Sequence, residues 1–267
     1  MEKKLNDPME TNNIFSFKRF ILLCKQSLII NKKLIGISLA GFSGFVFLLL
    51  YLFQKKSFQS WDNASYTRML LYLFFTIGTI YSSLSFPAFR MKEKSITYLM
   101  LPASISEKFT FELLIRVVMF ILLMPVLYWA VANIEGTIVH HFKPEFQNYK
   151  FSLIDGWSKI LHDTGDFKLR KIFFIQYPLF IFTVMFAGAC HFSKSPLLKT
   201  LFTISIIMVG YAVLIYILTK GFNVRGYIAR EGSVFFDEPL TVYAISSIVA
   251  SLCLLAVTFF KLKEKEA

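Results

Sequence analysis

The chain has 267 residues, 55% of them hydrophobic, with a mean hydropathy of +0.57 and a formal net charge of +12. Soluble domains hold about 45–50% apolar residues even with glycine counted in, so this composition excludes an ordinary water-soluble globule. The basic excess does not point to nucleic acid either, because Lys and Arg flank apolar runs, where they anchor helix ends against lipid head groups.

Residues 1–33 form a polar, basic N-terminal segment without the apolar stretch and small-residue cleavage site of a secretory signal. Residues 1–13 read as unstructured. Residues 14–31 read as an amphipathic helix: Phe17, Phe20, Ile21, Cys24 and Leu28 recur at helical spacing, while Lys18, Arg19, Lys25 and Gln26 fall mostly elsewhere. A helix of that kind lies in the plane of the membrane interface. The alternative is a cytosolic extension of the first span.

Six charge-poor runs follow, at 34–54, 69–89, 112–134, 172–193, 198–219 and 239–260. Each is close to the roughly 20 residues that carry a helix across about 30 Å of hydrocarbon. No short alternating segments suggest a barrel. The expected architecture is therefore an all-α polytopic membrane protein. An interfacial helix is followed by a six-span domain over 34–260 and a basic tail over 261–267. Lys and Arg favour the side holding the N-terminal segment, which alone carries Lys3, Lys4, Lys18, Arg19, Lys25, Lys32 and Lys33. That bias puts both termini and the segment 90–116 in the cytoplasm, in what reads as a bacterial inner membrane.

The first span carries Gly36, Ala40, Gly41 and Gly44, and small residues four apart let helices approach closely. Gly41-Phe42-Ser43-Gly44 also mimics an intramembrane serine protease motif. That chemistry needs a base near Ser43, yet three of the four histidines, His140, His141 and His162, sit in one exterior loop and His191 lies at the opposite depth. The same glycines imitate part of a phosphate loop, but Phe42 stands where lysine is required. Any ATP energy must come from a partner.

The second span is rich in hydroxyls. Thr76, Thr79, Ser82 and Ser83 either line a translocation path or, more ordinarily, bond their own helix or a neighbour. The segment 90–116 then alternates charge through Arg90, Lys92, Glu93 and Lys94. It runs apolar from 96 to 101 and breaks at Pro102. Ser104-Ile105-Ser106-Glu107 reads as a helix start, with a capping hydroxyl and an anion where the dipole favours one. Glu112 and Arg116 share a face at the start of the third span and form a structural pair. Pro125 is expected to kink that span.

The exterior loop 135–171 contains 155–163, which has the pattern of one or two helical turns. Its His140-His141 pair lacks a ligand frame, and Cys24, Cys190 and Cys253 are scattered, so no metal site is expected. Neither a catalytic nor a cofactor-binding set is visible. None of the six runs holds an acid or base in its middle, which counts against a proton- or ion-driven carrier.

The layout and two short stretches resemble the permeases of the type-two ABC exporter class. One is Ser95-Ile-Thr-Tyr98-Leu-Met-Leu101-Pro102-Ala103-Ser104-Ile-Ser-Glu107-Lys108-Phe109, similar to the leucine-proline-x-serine stretch of that family. The other is Phe17-Lys18-Arg19-Phe20 at the start of the interfacial helix. The likeness covers most of the chain by topology but only 95–109 by motif. The long third-to-fourth loop departs from the family, which more often places its exterior residues between spans five and six. The resemblance implies a subunit that is not itself an enzyme. It would work with an ABC-type ATP-binding subunit and a second permease copy, identical or different, in membrane lipid. It also implies a cytosolic coupling helix around Tyr98, Leu101, Pro102, Ser104, Glu107 and Lys108, seated in a groove of the ATPase. Ile96, Leu99 and Ile105 would supply apolar contact there, with Lys92, Lys94, Glu107 and Lys108 pairing at the rim. The other reading is a membrane carrier or scaffold without an ATPase.

Overall fold

The computed structural model describes residues 15–57, 61–90, 98, 103–142, 150–162, 167–221 and 239–266. Among them the chain is helical with no strand. In order, the helices are α1 (Phe17–Ser57), α2 (Asn63–Ser83), α3 (Ile105–Leu113), α4 (Met119–Phe142), α5 (Leu153–His162), α6 (Phe167–His191), α7 (Pro196–Gly221) and α8 (Pro239–Glu266). A 3₁₀ turn, Pro87–Arg90, follows α2, and a π-turn, Leu114–Val118, joins α3 to α4 without a break. Four helical stretches are long and apolar enough to cross a membrane: Phe17–Lys55, Ile105–Phe142, Pro196–Leu214 and Ala244–Lys265. The chain thus has the make-up of an all-α, multi-pass membrane protein.

The first helix differs from the expected two pieces. No boundary separates an interfacial helix from the first span, and α1 runs uninterrupted for 41 residues, about 60 Å at the helical rise of about 1.5 Å per residue. Neither proline nor glycine occurs between Phe17 and Ile35 to stop it. Asn31, the most polar point, keeps the helix by donating its amide to the Ser27 carbonyl at 3.0 Å. The apolar residues of its lower half, Phe17, Ile21, Leu22, Leu28, Ile29 and Ile30, are exposed, which suits contact with lipid.

The third run also extends. From Ile105 through Phe142 the helix is continuous, so the stretch assigned to an exterior loop from 135 begins as helix. Pro125 is accommodated inside α4 and does not end it. The helical turns expected at 155–163 are present as α5.

Two hydrophobic clusters organise the interior. One gathers Val46 and Leu50 of α1, Tyr66, Leu70 and Leu73 of α2, Met124, Tyr128, Val131 and Ala132 of α4, and Phe151. The other joins Phe86, Phe89, Val117, Phe182, Phe186, Ala189, Cys190 and Leu262, drawing on α6 and α8. Phe74, Phe120 and Phe182 pack between them, with ring centroids 5.4–5.7 Å apart. Such aromatic contacts add to simple burial.

Close helix approach occurs at a glycine not singled out from the sequence. A Cβ on Gly78 would meet the Phe182 ring at 2.2 Å. By contrast nothing lies within 4 Å of a Cβ placed on Gly36, Gly41 or Gly44. Among the described residues the packing role expected for those three is not used, because α1 touches α4 through Val46 and Leu50 on another part of its surface.

Candidate functional site

The site is built on the start of α3. Ser104 is extended (φ −66°, ψ 157°) and caps the helix. Its Oγ accepts the Glu107 N–H at 3.3 Å, and Glu107 Oε2 accepts the Ser104 N–H at 3.0 Å. This reciprocal capping box satisfies two backbone donors that a helix start would otherwise leave open.

The other carboxylate oxygen is committed elsewhere. Glu107 Oε1 accepts the Ser16 N–H at 2.7 Å, Arg19 Nη2 at 3.0 Å and Arg19 Nε at 3.2 Å. The Glu107 side chain is 0% exposed and that of Arg19 31%. Charge-assisted bonds to a guanidinium are among the strongest a protein makes. The N-terminal end of α1 is therefore latched to the turn before the third long helix.

Lys108 is also buried, with Nζ 5.7 Å from the centre of the Tyr98 ring. Tyr98 meets Phe89 edge-on at 5.7 Å. Lys265 lies over the Phe89 ring at 4.3 Å and donates to the Cys190 carbonyl at 2.7 Å, closing the C-terminal end of α6. Described residues around 16–19, 86–90, 98, 104–112, 190 and 262–265 thus converge at one end of the bundle.

The strain in this region sits at Phe86, whose φ is +52°. A bulky residue in the left-handed region is an outlier. It is held there by its buried ring against Phe89 and Phe186, and by a 3.3 Å bond from its N–H to Glu112 Oε2. The same Glu112 oxygen lies 3.7 Å from Arg116 Nε, and the Arg116 guanidinium stacks 5.1 Å over Tyr81. The pairing expected of Glu112 and Arg116 is present, across the π-turn.

Of the residues expected to meet an ATPase, Tyr98, Ser104, Glu107 and Lys108 gather here, whereas Leu101 and Pro102 lie outside the described residues. The rim role expected of Glu107 and Lys108 needs correcting. Both side chains face inward, Glu107 because Arg19 and two backbone amides claim it, Lys108 because it lies under Tyr98. Ile105 and Ser106 remain half-buried and reachable. Lys92, Lys94, Ile96 and Leu99 lie outside the described residues.

The hydroxyls proposed to line a path are scattered. Thr76 is exposed, while Ser82 and Ser83 are buried. Thr79 donates to the Thr76 carbonyl at 2.8 Å and Ser83 to that of Ile80 at 2.6 Å, the self-bonding that hydroxyls adopt in apolar helices.

A second polar cluster was missed in the sequence. Glu135 of α4 is fully buried. Its Oε2 accepts the Tyr66 hydroxyl at 3.2 Å, and the Gln54 amide donates to that hydroxyl. Tyr128 donates to the Tyr66 carbonyl at 2.8 Å. Rings of Trp61 and Phe151 pack on Tyr66. The backbone at 151–152 covers the group. Asn63 bonds both the carbonyl and the N–H of Ser152, at 3.0 and 3.1 Å, and Asn133 reaches the Phe151 carbonyl at 3.2 Å. Glu135 Oε1 has no hydrogen-bond partner among the described residues. The signal available in the sequence was that Glu135 interrupts an apolar stretch resuming at Ile138.

Among the described residues, no three metal-ligand side chains come together. Comparison with family models, with curated proteins and with solved structures finds no match to this chain.

Proposed function

We propose that this chain is the permease subunit of an ATP-driven exporter of the type-two ABC class, with ATP hydrolysis on a separate subunit and a second permease copy completing the transporter. In this reading α2 and α6, of 21 and 25 residues, are the two further spans that make six. Both termini and the turn before α3 face the cytoplasm of a bacterial cell, as the basic N-terminal segment favours.

The observation that carries the reading is the convergence at the Ser104–Lys108 turn. A coupling element must transmit displacement rather than absorb it. Here the turn is fused to the third long helix through α3, bound to α1 by Arg19 and stacked through Tyr98 and Phe89 on the end of α8. A push on the turn moves three helices together. Closure of two ATPase subunits would supply the push and bias the bundle between two states. Ile105 and Ser106, both half-buried, supply described surface for the ATPase groove.

Purification in mild detergent tests the assignment: an ATP-binding protein should accompany the chain, and Ile105→Asp should release it while the permease still inserts in the membrane. Recovery of the chain without any ATPase, under conditions that keep it folded, would overturn the proposal. The second reading, a carrier without an ATPase, gains one observation. Glu135, just past the end of the expected third span, is buried within the continuous helix Ile105–Phe142.

A further inference from the structure

We propose that Glu135 is a proton-exchange site, loaded with one proton when α1, α2 and α4 are packed and unloaded when they part. This is independent of the ATPase reading and concerns the chain alone.

Four observations converge on it. The side chain is fully buried. One oxygen is bonded only to the Tyr66 hydroxyl, and the other has no partner among the described residues. No ion pair reaches Glu135 among those residues. Every polar group shown to face it is uncharged: Gln54 from α1, Tyr66 from α2 and Tyr128 from its own helix. Lys55, the neighbour of Gln54, points into the exposed surface.

A lone carboxylate in apolar surroundings costs far more than one phenolic hydrogen bond returns, and such groups escape the cost by neutralising. The buried orphan oxygen leaves no exposed surface for a larger cation to reach. A proton fits. On loading, an O–H bond forms at Oε1 with a proton taken from the aqueous phase, and one negative charge is cancelled. On unloading, the proton returns to water and the charge reappears. The exit is the cover at 151–152, which Asn63 and Asn133 hold by hydrogen bonds and the Phe151 ring holds by packing on Tyr66 and Tyr128. Ionisation inside the closed cluster would leave a charge with one phenolic donor, and water admitted past the cover would relieve it. An ionisable group buried in a membrane helix bundle is the expected site of such exchange.

The packed and parted forms thus hold different numbers of protons, which makes packing depend on pH. The experiment uses the full chain in lipid nanodiscs, without an ATPase. Infrared difference spectra across a pH titration should contain a protonated-carboxyl C=O band that vanishes on alkalinisation and is absent from Glu135→Gln. Thermal stability of the wild type should change with pH over the range in which that band is lost, and that of Glu135→Gln should not follow it. Should Glu135→Gln fail to fold, Tyr66→Phe serves, because it removes the hydroxyl bonded to Glu135 and should shift the pH at which the band disappears. A spectrum with no band lost in Glu135→Gln, or a titration unmoved by Tyr66→Phe, overturns the proposal. So does a Glu135 that stays ionised throughout the pH range.

Discussion

Glu107 and Glu135 are both fully buried glutamates on the same long helical stretch, and they could hardly be treated more differently. Glu107 receives a guanidinium fork and two backbone amides. Glu135 receives one phenol. The first arrangement is finished: each oxygen is claimed and the charge is compensated. The second is incomplete. Burial alone therefore says little about what an acid is for. The count of donors aimed at it separates a fastening from a group kept ready to react.

The same substitution at both positions is the sharpest break of this contrast. Glu107→Gln puts an amide NH₂ against donors and removes the charge opposite Arg19. We expect a loss of about 3 kcal/mol, as for breaking a compensated pair, seen as a large fall in thermal midpoint in detergent. Glu135→Gln at neutral pH should cost less than about 1 kcal/mol, since the amide can still accept from Tyr66 and no charge pair is lost. Equal effects would erase the distinction.

A smaller effect is expected between the two ends. Gly78→Ala forces a methyl into the Phe182 and Phe120 rings, at 2.2 and 2.8 Å. Overpacking of this kind costs typically about 1–3 kcal/mol. Because these rings link both clusters, the variant should loosen both ends together in hydrogen exchange, whereas Glu107→Gln should loosen only its own.

The mildest change goes the other way. Ser195 is exposed with φ +52° at the turn before α7. Ser195→Gly removes the left-handed penalty and should raise stability by up to about 1 kcal/mol, less the entropy glycine carries in the unfolded chain. It should leave both glutamates undisturbed, which makes it the control for the others.

Much of the fold was readable because apolar runs of bilayer length impose helices whatever their sequence detail. The errors fell where a single polar residue was taken as a boundary. Asn31-Lys32-Lys33 does not break α1, since helix geometry tolerates charge at a surface. Glu135 does not end the third helix, since a neighbour's hydroxyl donates to it there. The Ser104–Glu107 cap was legible because both partners lie within one turn. Arg19 was not, being 88 residues away. Spacing along the chain carries no information about that distance in space. The fate of Gly36, Gly41 and Gly44 was hidden for the same reason: the pattern says that a neighbour can come close, not that one does.

The π-turn at Leu114–Val118 has a consequence for insertions and deletions. It lies between the two glutamates and carries one residue more per turn than the helix on either side. Loss of a single residue there would let the turn relax to ordinary α-helix with the segments on either side kept nearly in phase, because the wide turn already absorbs that residue. Arg19 and Tyr66 could then both keep their carboxylates. A one-residue deletion within the bulge should therefore be tolerated better than one elsewhere along the same helix.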